Sequence, residues 1–357
     1  MIRILTVIGA RPQFIKAAAV SHALAAENGI KETILHTGQH FDHRMSQIFF
    51  DQMEIPRPAF DLGIHSLDHG AMTGSMLIGI EKAIQQDKPD WVMVYGDTNS
   101  TLAGALAAVK LGVRVAHVEA GLRSFNMHMP EEVNRILTDR ISSLLFCPTT
   151  TAVENLSREG FGHFPARIEQ TGDVMYDACL RFRPLANPPK GIRLPEQFLL
   201  ATVHRAENTN DPVRLERIIL AMNRIAERLP VVFPVHPRTR KLLETGDFPA
   251  LSGRVIPIDP VGYLEMIYLL EHCRMVMTDS GGLQKEAYFF ERPCLTVRDE
   301  TEWTELVQAG YNKVCGTLPE DMQRAFSDFL DRPPAFESGL YGKGNAAEKI
   351  AAAFLKK

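Results

Sequence analysis

Short apolar runs alternate with amphipathic stretches along almost all of this chain, and that alternation restricts its fold more than any other feature. Strands are expected at residues 3–8, 32–36, 91–95, 114–118 and 144–147, then at 168–171, 198–203, 231–235, 254–258, 275–278 and 294–297. Helical patterns lie between them, at 14–26, 72–86, 102–111, 213–228 and 283–290. Strands that are apolar throughout are buried on both faces, and a parallel neighbour is reached only through a crossover, usually a helix. The expected class is α/β, with two doubly wound parallel-sheet domains facing each other across a cleft lined by strand ends.

Length agrees with two cores. At 357 residues the chain exceeds what one core organises, and domains of about 170 residues are expected. The densest proline cluster, RFRPLANPPKGIRL at 181–194, joins the halves within the interval 172–194. The expected divisions are 1–172, 173–345 and a terminal helix at 346–357 that packs back on the first domain. Composition narrows the class of partner. With 45% hydrophobic residues, 23% charged residues and a formal net charge of −4, nothing points to nucleic acid or an anionic membrane. No apolar run is long enough to span a bilayer, and the opening MIRILTVIGARP reads as a first strand rather than a signal peptide. Five widely spaced cysteines without a CxxC pair predict neither a disulfide framework nor a metal cluster, and place the protein in a reducing cytoplasm.

In open α/β sheets ligands bind beyond the carboxyl ends of the strands, so the loops there carry the chemistry. After the strand at 114–118 come Glu119 and Arg123, then Pro130, Glu131, Glu132 and Arg135 at a helix start. A proline at the first helical position, acids at the positive helix end and Arg135 four residues after Glu131 also suit a purely structural helix entry. No helix end calls for Glu119 or Arg123. Asp97, in GDTNS, fits either a helix cap or an acid–base carboxylate facing Glu119 and Glu131. In GARPQFIK, Arg11 and Lys16 can meet a phosphate at the first helix start, or serve only as surface cations of a tight turn. The turn TGQH is weaker. In the second half, His204 and Arg205 end one strand, and PVHPR repeats the theme with His236 and Arg238. The strongest single motif is TDSGGLQKE. Ser280, Gly281 and Gly282 form a turn that lets backbone amides approach an anion at a helix start, and Glu286 lies one turn in, placed for ribose hydroxyls. Arg298 adds a cation at the next strand end. Neither GxGxxG nor GxxxxGK[ST] occurs, so these loops match no dinucleotide or Walker fingerprint. Clustered cations, anion-accepting turns and a ribose-type carboxylate point to a nucleotide diphosphate ester.

In order along nearly the whole chain, GARPQFIK, TGQH, GDTNST, HVEAGLRS, MPEEVNR, TGD, HRAEN, PVHPR, TDSGGLQKEA and RDETEW resemble the non-hydrolysing UDP-N-acetylglucosamine 2-epimerases. That resemblance implies two Rossmann-like domains of the glycosyltransferase-B type, UDP held mainly by the second, a homodimer, and no metal or other cofactor. It implies that Asp97, Glu119 and Glu131 are acid–base carboxylates and that His204 is catalytic. Arg11, Lys16, Arg135, Ser280, Gly281, Gly282, Glu286 and Arg298 then contact the substrate or its UDP. The implied reaction removes the C2 proton, expels UDP and re-adds it to the other epimer.

Two departures bear on the sugar. Members acting on UDP-N-acetylglucosamine read RDTTERPE where this chain has RDETEW, the form that resembles members acting on UDP-2,3-diacetamido-2,3-dideoxyglucuronate in lipopolysaccharide or capsule assembly. Many members bind a second substrate molecule as activator; near Gln39 this chain has Phe41 and Asp42 in place of polar residues, and His69 where an arginine is expected. The expectation is therefore the uronate substrate without an activator response. Arg123, Arg205 and Arg238 are expected either to be spare for its C6 carboxylate or to be solvated surface residues. UDP-N-acetylglucosamine epimerisation is the alternative substrate reading, and a glycosyltransferase of the same fold is the alternative class.

Overall fold

The structure, a computed structural model, describes residues 1–39, 53, 55–246 and 248–356. The chain forms two compact units, residues 1–181 with 338–357, and residues 182–337.

In the first unit the elements run β1 (Ile2–Ile8), α1 (Arg11–Ala26), β2 (Ile30–His36), β3 (Phe60–Asp61), α2 (His69–Asp87), β4 (Trp91–Tyr95) and α3 (Asn99–Lys110). They continue through β5 (Arg114–Val118), α4 (Pro130–Ile141), β6 (Leu144–Cys147), α5 (Thr150–Arg158), β7 (Arg167–Gln170) and α6 (Val174–Phe182), and α14 (Ala346–Leu355) returns from the end of the chain. The strands pair in parallel in the order β3-β2-β1-β4-β5-β6-β7. Chain order reverses between β1 and β4, which marks the switch point where such sheets bind ligands. Leu5, Val7, Val92, Val94 and Val115 pack against Met76, Ile80 and Ile84 of α2 and the alanines of α3. Small residues on α3 let it lie close to the sheet: a Cβ at Gly104 would stand 3.0 Å from Val94.

The second unit holds β8 (Leu199–Thr202), α7 (Ala206–Thr209), α8 (Pro212–Ala226), β9 (Val231–Pro234), α9 (Pro237–Thr245), β10 (Val255–Ile258) and α10 (Tyr263–His272). After these come β11 (Met275–Thr278), α11 (Gly281–Phe289), β12 (Cys294–Thr296), α12 (Thr304–Gln308), β13 (Asn312–Val314) and α13 (Pro319–Asp331). Its parallel order, β10-β9-β8-β11-β12-β13, repeats the doubly wound pattern with a switch point between β8 and β11. Leu199, Val231, Phe233, Met277 and Leu295 meet Ile218, Met222 and Ile225 of α8 and Phe326 of α13 in one core. Each such side chain contributes about 1.5–3 kcal/mol by leaving water.

Two edge strands, β3 and β13, were not expected from the sequence. Each is very short and partly polar, so neither presents the apolar run that marks a buried strand. The units divide at Arg181, later than the expected 172, because α6 buries Val174, Met175, Ala178 and Cys179 in the first unit. Residues 338–345 return with the terminal helix, and the Tyr341 carbonyl accepts from Asp173 N at 3.0 Å.

Candidate active site

Three strand-end loops of the first unit are tied together by buried polar contacts. Gln13 at the start of α1 accepts from Gly9 N and Ala10 N, and donates to the Tyr95 carbonyl at 2.8 Å and to Thr98 and Thr101, each at 3.0 Å. One side chain therefore fixes the β1–α1 turn against the β4–α3 turn. In the latter, Thr98 caps α3 by accepting from Thr101 N, so the cap weighed for Asp97 falls to its neighbour. Asp97 is left partly exposed beside the sheet end. Gly96 before it has φ 64°, and a Cβ there would stand 3.1 Å from Glu119 Oε2. Only glycine admits that carboxylate so close to the turn.

Glu119 ends β5 with a left-handed backbone, φ 73°, unusual for a residue with a side chain. It is buried and forms an ion pair with Lys16 of α1, itself buried. The guanidinium of Arg135, 3% exposed, forks between Asp97 and Glu132, with Nη1 to Glu132 Oε2 at 2.6 Å. Asn134 adds a hydrogen bond to the Asp97 carbonyl at 2.9 Å. Arg135 thus serves Asp97 and Glu132. Glu132 is fully buried and accepts from Ser124 N and Phe125 N, which holds the loop before α4. Glu131 lies half-buried in the first turn of the same helix. Asp97 and Glu119 therefore sit at adjoining strand ends, and Arg11 opens α1 at the switch point.

Arg123 is not spare. It is 3% exposed, donates to Asp139 Oδ2 at 2.7 Å and grips Glu159 through two bonds, at 2.6 and 2.8 Å. A loop cation read from sequence as available is consumed inside the unit, because Asp139 lies buried beneath it. Gln39 of the TGQH turn accepts from Ser100 N and Oγ, and His69 meets Asn99. His40, Phe41 and Asp42 lie outside the described residues.

In the second unit Asp279, fully buried at the end of β11, organises the equivalent turn. It accepts from His204 N at 3.0 Å, Arg205 N at 2.9 Å and Asn208 Nδ2 at 3.1 Å, and lies 3.5 Å from His204 Nδ1. His204 is thereby fixed at the mouth of β8, half-buried, with its ring 5.5 Å from that of His236. Ser280 caps α11, and Gly281 and Gly282 are its first residues. A Cβ at Gly281 would stand 2.4 Å from Glu302 Oε1, whereas Gly282 faces open space. The RDETEW segment closes over this helix start. Arg298, 1% exposed, holds Glu302 at 2.8 Å and lies 3.7 Å from Glu207; Trp303 donates its indole N–H to the Gly281 carbonyl at 2.9 Å. Lys285 lies over the Trp303 ring at 4.2 Å. Glu286 is buried one turn into α11. Arg205 is half-buried, and the exposed Arg238 bonds Asn210.

The five cysteines are buried and form no disulfide, with burial pushing the Cys273 and Cys315 thiols up to about 12. Among the described residues no His, Cys, Asp and Glu side chains gather as a metal site, and no helix is long and apolar enough to cross a membrane. Gln13, His117, Asn134, Asp139 and Asp279 escaped the sequence reading although most lie in its motifs. That reading weighed charged residues at loop ends, and these act from beneath.

The family model for UDP-N-acetylglucosamine 2-epimerase matches residues 22–355. The chain belongs to this family. It is 54% identical over 98% of both chains to the UDP-2,3-diacetamido-2,3-dideoxy-D-glucuronate 2-epimerase of Pseudomonas aeruginosa. Among solved structures it resembles the Methanocaldococcus jannaschii UDP-GlcNAc 2-epimerase in complex with UDP-GlcNAc and UDP, with a TM-score of 0.91 and 40% identity over 99% of both chains. The Neisseria meningitidis UDP-GlcNAc 2-epimerase bound to UDP-GlcNAc follows at TM-score 0.89 and 30% identity, covering 100% of both. The two Rossmann-like units are those of the glycosyltransferase-B-type fold that these enzymes share.

Proposed function

We propose that the protein inverts C2 of a UDP-linked 2-acetamido sugar by eliminating and re-adding UDP, with UDP-2,3-diacetamido-2,3-dideoxyglucuronate as its substrate. The observation that carries the reading is the carboxylate pair at adjoining strand ends, Glu119 held by Lys16 and Asp97 held by Arg135, with Glu131 on the helix that positions Asp97. A glycosyltransferase of the same fold has no use for such a set. A carboxylate of the three takes the C2 proton; the C–H electron pair forms a C1–C2 double bond, and the C1–O bond breaks towards UDP. UDP then returns to C1 while another carboxylate delivers a proton to the opposite face of C2.

UDP is assigned to the second unit. The capped start of α11 presents backbone N–H groups to the diphosphate, and Glu286 pairs with ribose hydroxyls. His204, fixed by Asp279, and Arg11 stabilise the charge that develops on the leaving phosphate. Lys16 and Arg135 act through the carboxylates they pair, and Arg298 through Glu302 at Gly281. The uronate assignment rests on the RDETEW segment and the 54% relative. With Arg123 consumed, Arg205 and Arg238 remain as cations for the C6 carboxylate. A homodimer in the cytoplasm, serving cell-surface polysaccharide assembly, completes the reading on the family resemblance.

The test is turnover by purified protein of the two candidate UDP-sugars, read by NMR. Conversion of the uronate to its C2 epimer, hyperbolic in substrate, is expected. Efficient sigmoidal turnover of UDP-N-acetylglucosamine would reverse the substrate assignment and leave the chemistry standing. Conversion of neither, or transfer of the sugar to an acceptor, would overturn the function.

A further inference from the structure

Beneath the carboxylate loops lies a buried charge cluster to which the chemistry above gives no role. His117 sits in β5, 0% exposed, two residues before Glu119. Its Nδ1 lies 2.6 Å from Asp139 Oδ1 and its Nε2 lies 2.7 Å from the Gly96 carbonyl. Asp139, also 0% exposed, accepts through Oδ2 from Gly121 N at 3.1 Å and from Arg123 Nη1 at 2.7 Å. Arg123 is closed off by Glu159, and Asn155 holds the Gly121 carbonyl at 3.1 Å. The Cys147 thiol is a further titratable neighbour, pushed up by burial and by the Asp139 charge.

Both partners of the His117 ring are acceptors. A carbonyl cannot donate, and neither can Asp139 while ionised, the form that His117 and Arg123 favour against burial, so beside that carboxylate each ring nitrogen carries a proton. The ring is then a buried cation, countered by Asp139.

We infer that His117 is a positioning residue, an imidazolium that fixes the Gly96–Asp97 turn against the Glu119 loop; this rests on the carboxylate mechanism proposed above. Its Nε2–H holds the Gly96 carbonyl, while Gly96 N donates to the Val118 carbonyl at 3.0 Å. The turn carrying Asp97 is thus bound to β5 from both sides. Through Asp139 the same ring reaches Gly121 N and Arg123, the frame of the loop that leaves Glu119. Burying these charges is costly, and an apolar side chain of similar volume would serve stability as well. What an apolar residue cannot supply is the donor to Gly96, and that donor sets the separation of the two carboxylates.

The inference is tested with His117→Gln, which offers one donor nitrogen and an acceptor oxygen where the ring offers two donor nitrogens. The variant is expected to melt cooperatively and bind UDP like the parent, with kcat lowered about ten- to a hundredfold, as for displaced catalytic groups, and KM within about twofold. A folded variant with parental kcat, or one altered in KM alone, overturns the inference. Parental protein that exchanges no solvent deuterium into C2 overturns the carboxylate mechanism itself; exchange in the parent matched by the variant overturns only the role of His117. If His117→Gln does not fold, the parental protein labelled with 15N-histidine decides. Two protonated ring nitrogens support the assignment, and one bare ring nitrogen contradicts it.

Discussion

Glu119 holds a left-handed backbone and a buried ion pair at the same position, which concentrates strain and charge on one residue. Non-glycine residues in such conformations cost roughly 1–3 kcal/mol and persist where the surroundings over-determine them. The surroundings here are Lys16, Gly96 and the bonds from Glu119 N and Ala120 N to the Phe146 carbonyl. Glu119→Gln keeps the shape and removes the charge, so turnover is expected to fall about a hundredfold or more, as for a lost acid–base group. The melting temperature is expected to fall as well, because buried Lys16 loses its counter-charge; parental kcat would remove Glu119 from the chemistry. Gly96→Ala places a methyl group against Oε2 on a backbone that disfavours it, at a cost of about 1–3 kcal/mol in denaturant titrations. At this scale the sequence was half legible. Glu119 stood out because no helix end explains it. Arg123 stood out for the same reason and proved to be a structural cation, because its partner Asp139 lies in the last turn of α4 and shows no loop signature.

Helix α4 does more than its amphipathic pattern announces. Its first two turns carry Glu131, pin the preceding loop through Glu132 and brace Asp97 through Asn134 and Arg135. Farther along, Asp139 binds the cluster under β5. Burial alone would raise the Asp139 carboxyl, but the charge and hydrogen bond of His117, and then Arg123, outweigh it and hold it below the usual value of 3.8. A depressed folded value stabilises the protein above the unfolded carboxylate range, and the contribution is lost as pH falls through the folded value. The stability gap between the parent and Asp139→Asn should therefore be widest near neutral pH and narrow below 3.8 in a pH series of urea melts. A gap independent of pH would contradict this. Helix α14 makes a different contribution. Phe354 packs edge-on to Trp91 and Phe146, at ring distances of 5.5 and 5.9 Å, so the end of the chain completes the first unit. Phe354→Ala should cost about 3–5 kcal/mol, as for other buried aromatic residues, and lower the unfolding midpoint accordingly. The apolar runs made most strands legible to within one or two residues; β3 and β13 were not, because paired edge strands need little hydrophobicity of their own.

The whole molecule repeats one winding in two sheets. The first carries carboxylates at its switch point and the second a capped helix start with a buried glutamate behind it. The strand ends and helix starts that carry these groups were visible in the motifs, and open sheets bind ligands there. Glu286→Ala should weaken UDP binding by about 1.5–3 kcal/mol, the range for a hydrogen bond to a charged group. Unchanged affinity in calorimetry would remove Glu286 from the nucleotide site. The sugar was less legible, because cations near strand ends look alike in a sequence whether they are spent, as Arg123 is, or available. A site built for a C6 carboxylate should reject the uncharged N-acetylglucosamine ester sharply. Elimination and re-addition of UDP is the claim on which the rest depends, and its most direct measurement is NMR of the reaction run in heavy water. The epimer formed should carry deuterium at C2 without any added cofactor, with UDP still attached at C1. An epimer that retains protium at C2 would contradict the account.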